Sequence, residues 1–469
     1  MTEEIKANLG TVLIVAGEFP PLKTIGRIRT TKFVEHLRGL GWKPIVLTLE
    51  ANGSEANYDA RLKAEVPVGI EVIRVPLVTL DERITRLAKR LIGRSSKAVA
   101  TSPRNLTESA ATTYQAGKPT KGGYVSRLQG AVKHWIRVGL EIPDNYLPWA
   151  LKAAAVARDI CDKSKVDVVF TTLPPFSAAS IGYKLKQERG IPWVADYRDL
   201  WYGDVLREWL PKWRSWLELQ MEKRLLAKAD VIVTVSEQKT EFMRRMHPGL
   251  KARWETLTNG YDSEIYADRQ RTRAFDGSKT EFVYTGRLFK NRRGYAFAEA
   301  LGRIKQSDPS LVAGVRVRIL GGVAPEIAAR YEEILRQYSI ADLFEFAGDV
   351  SYEEAMNAQV NCDYLLLIVD TGETSDGVIP GKLFEYVAAK RPLFALCNPG
   401  ATQQIIENAG LGVVVDAEDV DACEHALTTL LRTPVPTSLE RNETYLKQFD
   451  RRDIAARLSK LLTATVHHH

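Results

Sequence analysis

The run Thr11-Val12-Leu13-Ile14-Val15, the loop Glu18-Phe19-Pro20-Pro21-Leu22-Lys23-Thr24-Ile25-Gly26, and the helically spaced apolar residues from Ile28 to Leu40 decide the fold class. Five consecutive apolar residues, without the alternation of a half-exposed strand, suit a strand covered on both faces of a parallel sheet. A helix ending at Gly41 returns the chain for strands at 44–49 and 70–75. Past residue 150, helices at 151–161, 178–189 and 213–229 alternate with strands at 166–171, 192–195 and 231–235. Turn chemistry at Thr258-Asn259-Gly260-Tyr261-Asp262 and a polar stretch to about residue 280 mark a boundary. A second series follows, with strands at 282–285, 315–320, 344–347, 364–368, 393–396 and 412–415, and one or two amphipathic helices over 440–462. A chain of 469 residues exceeds one ordinary core. The expectation is therefore α/β: two parallel-sheet domains facing across a cleft, with ligands at the carboxyl ends of the strands.

Composition narrows the function classes. No apolar run reaches membrane-spanning length, no signal peptide precedes the first strand, and Cys161, Cys362, Cys397 and Cys423 form no CxxC or Cys/His pairing. These features point to a reducing cytoplasm and away from structural zinc. The terminal His467, His468 and His469 read as a purification-tag remnant. The net charge of +7 is unevenly spread: residues 82–137 hold twelve Lys/Arg against Glu82 and Glu108, so this stretch carries +10 and the rest is slightly acidic. Ile84, Leu87, Leu91 and Ile92 recur in it at helical spacing, whereas 95–123 is rich in Ser, Thr, Gly and Lys. Such a stretch could meet anionic lipid, nucleic acid or an anionic substrate, or be a solvated insertion.

Four clusters could carry chemistry. In the first, Gly26 permits close backbone approach, the N–H groups opening the next helix favour an anion, and Arg29 adds a charged donor. A plain strand–helix turn is the alternative. The second is Asp196-Tyr197-Arg198-Asp199-Leu200-Trp201, directly after a buried strand, with Thr171-Thr172-Leu173-Pro174-Pro175 ending the preceding strand. Asp196, Arg198 and Asp199 suit an acceptor site in which one carboxylate takes a hydroxyl proton; the alternative is an internal Arg–Asp pair closing a loop. The third, Thr285-Gly286-Arg287-Leu288-Phe289-Lys290-Asn291-Arg292-Arg293-Gly294, sets four cations in a strand–helix turn, as a diphosphate site requires. The fourth is Gly377-Val378-Ile379-Pro380-Gly381-Lys382-Leu383-Phe384-Glu385-Tyr386, where Pro380 and Gly381 open a helix whose N–H groups can hold a phosphate. Glu385, one turn beyond Lys382, could accept two ribose hydroxyls or form a surface Lys–Glu pair.

Taken together the clusters resemble the GT-B glycosyltransferases, specifically the retaining family 4. The resemblance rests on Pro20-Pro21…Gly26, Gly286-Arg287-Leu288…Arg293-Gly294 and Pro380-Gly381-Lys382-Leu383-Phe384-Glu385-Tyr386. Ala229-Asp230-Val231-Ile232-Val233-Thr234-Val235-Ser236 and Asn259-Gly260-Tyr261-Asp262 add to it. The Asp-x-Arg-Asp-Leu-Trp string is similar to the branch acting in cell-surface polysaccharide and lipid-linked glycan assembly. The resemblance implies two Rossmann-like domains, an acceptor-side domain over 1–262 with its basic insertion at 82–137 and a donor-side domain over 263–440. Closing helices over 441–466 would pack back towards the first domain. It further implies a UDP-, GDP- or TDP-sugar donor with no tightly bound cofactor and no required metal, and a glycan or lipid-linked acceptor. Arg287 would hold the diphosphate with Lys290, Arg292 or Arg293, and Glu385 the ribose. Gly381, Lys382 and Leu383 at the helix start would contact the diphosphate, and Gly26 a phosphate. The protein would work in the cytoplasm, docked through 82–137 on the inner membrane face or guiding an anionic acceptor, and would not bind nucleic acid. Two departures stand out: Gly377 occupies the place of the family's usual first Glu, with Glu373 and Asp376 nearby, and the turn carries Arg where the family usually has Lys. The rival expectations are a catalytically silent nucleotide-sugar-binding partner of another transferase, and a nucleotide-sugar epimerase.

Overall fold

The computed structural model describes residues 8–51, 53, 57–77, 138–139, 141–272, 279–436 and 439–467. The basic stretch 82–137, and the docking expected of it, lie outside the described residues. The chain divides into two compact units, one taking Met1–Val235, Lys239–Leu257 and Ile454–His469, the other Ser236–Gln238 and Thr258–Asp453.

The first unit is built on a seven-stranded parallel sheet in the order β3-β2-β1-β4-β5-β6-β7. Its strands are β1 (Gly10–Ala16), β2 (Trp42–Leu49), β3 (Glu71–Val75), β4 (Val168–Leu173), β5 (Trp193–Tyr197), β6 (Val231–Thr234) and β7 (Arg253–Thr256). Winding proceeds outward from β1 on one side and from β4 on the other, so the crevice between their carboxyl ends is the switch point where such sheets take ligands. Val12, Leu13, Ile14 and Val15 are fully buried because helices cover both faces. One face packs Leu13, Leu47, Trp149, Trp193 and Trp201 together with α2 (Leu147–Lys163) and α3 (Ala179–Arg189). The other packs Val12, Ile14, Phe33 and Phe170 with Leu458, Leu461 and Leu462 of the helix Arg451–His467, and the Trp42 indole donates to Ser459 Oγ at 3.0 Å.

Two local expectations are corrected. Helix α1 spans Ile25–Gly39, because the Thr24 side chain accepts the Arg27 N–H at 3.1 Å and caps it. Gly26 therefore stands in the first helical turn, whereas the sequence reading placed it at the end of a loop. Strand β7 was not anticipated: Arg253-Trp254-Glu255-Thr256 pairs with β6 at the sheet edge, stays partly exposed and has one apolar residue, so no buried run announces it.

The second unit holds a six-stranded parallel sheet in the order β10-β9-β8-β11-β12-β13. Its strands are β8 (Thr280–Thr285), β9 (Val315–Leu320), β10 (Phe344–Gly348), β11 (Tyr364–Ile368), β12 (Leu393–Leu396) and β13 (Gly412–Val415). Its switch point lies between β8 and β11. One face packs Phe282, Phe297 and Phe394, the other Leu365, Leu383, Phe384 and Val387. The expected pair of parallel-sheet α/β domains is thus borne out. Among the described residues no helix is long and apolar enough to cross a membrane.

Candidate functional site

The switch point of the second unit gathers the third and fourth sequence clusters. Tyr284 is fully buried on β8, yet its hydroxyl reaches the strand's carboxyl end, accepting from Lys382 Nζ at 2.8 Å and donating to the Arg287 carbonyl at 3.0 Å. The Lys382 ammonium also lies 4.0 Å from the Tyr284 ring centroid. One phenol therefore ties the turn after β8 to the start of α6 (Gly381–Ala389). Gly286 makes this approach possible: its φ is +128°, and a Cβ there would stand 2.5 Å from Lys382 Nζ. Tyr386, buried on α6, accepts the Thr285 N–H at 2.9 Å and fixes the helix against β8.

Helix α6 begins at Pro380 without a side-chain cap, and Gly381 is exposed. Its opening turn combines the positive end of the helix dipole with the Lys382 cation. Burial holds the Lys382 ammonium well below the usual lysine range, with Arg292 adding to the effect while Asp370 and Glu385 oppose it. Leu383 has a different part: its N–H donates to the Pro380 carbonyl at 2.9 Å and its side chain is fully buried.

The four cations of the turn separate into two kinds. Arg287 and Lys290 are exposed, and among the described residues neither has a carboxylate partner. Arg292 pairs with Asp370, which follows β11, and Arg293 pairs with Glu418 at 2.8 Å. The geometry thus joins Lys382 to the Arg287 carbonyl through Tyr284, leaves the Arg287 side chain exposed, sets Arg292 near Lys382 in its ion pair with Asp370, and turns Arg293 onto Glu418.

Glu385 is partly buried and accepts from Gln359 Nε2 at 3.4 Å, and Gln359 also donates to Thr285 Oγ1 at 2.9 Å. Burial raises its pKa, opposed by the Gln359 hydrogen bond and the Lys382 charge. Among the described residues Lys382 and Glu385 form no ion pair, so the surface pair left open by the sequence is not what the spacing produces. Gly377 is buried in the turn Ser375–Gly377, with Glu373 and Asp376 exposed around it.

In the first unit the charges at the switch point are matched to one another. Asp196 is fully buried, its carboxylate held by Arg29 at 2.7 and 3.2 Å, and Arg29 also donates to the Leu257 carbonyl at 2.9 Å. Arg198 pairs with Glu18 at 3.1 Å and donates to Thr172 Oγ1 at 3.1 Å and to the Pro174 carbonyl. Gly26 lies against this pair: a Cβ there would stand 1.6 Å from the Arg198 guanidinium and 1.9 Å from a Glu18 oxygen. Trp201 is buried, stacked on Phe176 and donating to Glu218 at 3.1 Å. Asp199 alone of the three candidate residues here keeps an open side chain, 45% exposed and 3.7 Å from Lys239.

Sequence reasoning missed Tyr284, Gln359 and Asp370, and gave no role to Tyr386, which it quoted only as the end of a motif. Asp370, two residues beyond an apolar strand, carries a readable signal, the same one that singled out Asp196. Tyr284 reads as an ordinary core aromatic, and nothing local marks Gln359. Among the described residues no group of three His, Cys, Asp or Glu could hold a metal ion.

Comparison with known proteins agrees with this division. Residues 111–260 match the family model described as a Glycosyl transferase 4-like domain, and residues 279–433 that described as Glycosyl transferases group 1. No curated protein matches the sequence. Among solved structures, a sucrose-phosphate synthase from Thermosynechococcus elongatus is similar over 98% of this chain and 100% of its own, with TM-score 0.62 and 15% identity. Anabaena HepE in complex with UDP and glucose is similar over 97% of this chain and 100% of its own, with TM-score 0.58 and 12% identity. An E. coli structure described as trehalose-6-phosphate bound with UDP-2-fluoro glucose is similar over 97% of this chain and 99% of its own, with TM-score 0.59 and 12% identity.

Proposed function

The chain is a glycosyltransferase of the GT-B fold, and from that premise we propose that it moves a sugar, with retention of configuration, from a nucleotide diphosphate carrier to a glycan or lipid-linked acceptor. This is the reading of the retaining family 4, in its branch for polysaccharide and lipid-linked glycan assembly. The observation that carries it is the Tyr284 hydroxyl, which joins Lys382 at the uncapped start of α6 to the carbonyl of Arg287, whose exposed side chain has no carboxylate partner among the described residues. The similar HepE and E. coli structures carry UDP or a UDP-sugar, which favours UDP over GDP or TDP.

In this reading Arg287, Lys382 and the N–H groups of Gly381 and Lys382 bind the diphosphate, with Lys290 and Arg292 at its margin. As the glycosidic bond to the carrier breaks, charge grows on the departing phosphate, and these fixed donors stabilise it without reorganising. A phosphate oxygen of the donor takes the acceptor hydroxyl proton on the face the carrier leaves, which retains the configuration. Arg, Lys and a helix start supply the neutralisation a metal would otherwise give. Glu385 accepts the ribose hydroxyls, and the Gln359 hydrogen bond orients its carboxylate. On the acceptor side Asp199 is the carboxylate open to a hydroxyl. Asp196 is matched to Arg29 and Arg198 to Glu18, so these four shape the crevice, and Gly26 offers its backbone to a phosphate. The basic stretch 82–137 favours an anionic acceptor or a lipid-linked one on the inner membrane face.

The test is a thermal-shift screen of UDP, GDP and TDP and their sugars, followed by donor turnover with and without acceptor. One nucleotide series should raise Tm. Glu385→Ala should cost about 2 kcal/mol of donor affinity, and an unchanged affinity removes Glu385 from the site. Conversion of donor without acceptor would instead indicate an epimerase. Gly377, in place of the usual acid, keeps the silent-partner reading in view, and binding without transfer or hydrolysis is its signature.

A further inference from the structure

Helix α4 (Lys212–Leu226) buries three charged residues beside Leu226 and shows two tryptophans to the outside. Arg214, Glu218 and Glu222, spaced four apart and so on one face, are only 4%, 1% and 2% exposed. Each is satisfied within the first unit. Arg214 donates to Glu218 at 2.8 Å and to the Val138 carbonyl at 2.8 Å, Glu218 also holds Arg207 and the Trp201 indole, and Glu222 meets His247 at 3.1 Å. The opposite face shows Trp213 at 49% and Trp216 at 63% exposure. Along the same helix Lys212, Lys223 and Arg224, and Lys228 just beyond its end, are exposed, and among the described residues none has a carboxylate partner. The exposed face of the helix carries no acid, since both of its glutamates are buried.

An ordinary surface helix turns its apolar side inward. Here the buried ionic network fixes the reverse orientation, so the indoles cannot rotate into the core without leaving two carboxylates and a guanidinium unmatched. We propose that this face docks on an anionic lipid surface, with Trp213 and Trp216 at headgroup level and the four cations on the lipid phosphates. Two exposed indoles beside Lys and Arg, free of acid, form the combination that the membrane interface selects. Charge decides against the other occupants. A second copy placed symmetrically would set the same cations against one another. The stretch 82–137 of this chain, with twelve Lys/Arg and two acids, has the same sign of charge as the face and offers it no complement. The inference goes beyond the proposed activity and does not rest on it.

The experiment is co-sedimentation of the full chain with vesicles of phosphatidylcholine alone, and of phosphatidylcholine with phosphatidylglycerol. The chain should bind the second and not the first. Trp213→Ala with Trp216→Ala should weaken binding at least tenfold at unchanged Tm. Lys223→Gln with Arg224→Gln should weaken it by roughly fivefold per charge removed. Binding of both vesicle types alike, or parent-like binding by the Trp variant, overturns the proposal. So does a dimer seen by analytical ultracentrifugation that the Trp variant loses, because the face then belongs to a second copy.

Discussion

The two sheets place charged residues at the same topological position and use them differently. At the switch point of the first, Arg29 is held by Asp196 and Arg198 by Glu18. At that of the second, Arg287 and Lys290 have no carboxylate partner among the described residues, and Lys382 rests on a phenol. A cation already matched to a carboxylate gives shape to a crevice but has little left for an anionic ligand. A lysine held by a neutral hydroxyl and an aromatic face has no carboxylate competing with one. The same winding thus yields one self-neutralised crevice and one with positive charge in reserve.

The contrast breaks most visibly at Asp196. Asp196→Ala leaves the Arg29 guanidinium buried without its carboxylate, which should cost about 3–5 kcal/mol of stability in denaturant unfolding. A loss under 1 kcal/mol would mean that Asp196 is not the structural partner its burial indicates. Arg287→Ala should do the opposite, leaving the unfolding midpoint nearly unchanged while weakening nucleoside diphosphate binding by about 2 kcal/mol, roughly thirtyfold, in calorimetry. Arg293→Ala serves as the contrast within the turn, since removing a partly exposed partner of Glu418 should change binding and stability by less than about 1 kcal/mol.

Titration sharpens the comparison. Burial and Arg292 depress the Lys382 pKa, so above that depressed value the amine is largely neutral until an anion binds. A bound diphosphate raises the pKa again, so binding takes up a proton and affinity falls as pH rises between the free and bound values. Calorimetry at one pH in buffers of different ionisation enthalpy should show this uptake, and Lys382→Met should abolish it.

How much of this was legible in the sequence follows from what is local. Buried parallel strands announce themselves as apolar runs, so both sheets could be read except for β7, whose single Trp254 gives no run. The Gly286–Gly294 turn with its cations and the helix start at Pro380-Gly381-Lys382 are each an unbroken string, and they were readable too. Partner choice was not. Asp370 lies 78 residues from Arg292, Glu418 lies 125 from Arg293, and Asp196 lies 167 from Arg29. Only the fold decides which cations are matched and which stay available. Helix α4 is the extreme case, because its inward glutamates are set by Arg207, Arg214 and His247 rather than by any periodicity of its own.

The account turns on unmatched positive charge in the second unit gripping a pyrophosphate, and the most direct measurement compares one nucleoside with its mono- and diphosphate by calorimetry on the full chain. Affinity should climb steeply from monophosphate to diphosphate, by roughly a hundredfold, and Arg287→Ala should flatten most of that step. Equal affinity for the two phosphates, with Arg287→Ala indistinguishable from the parent, would contradict the account.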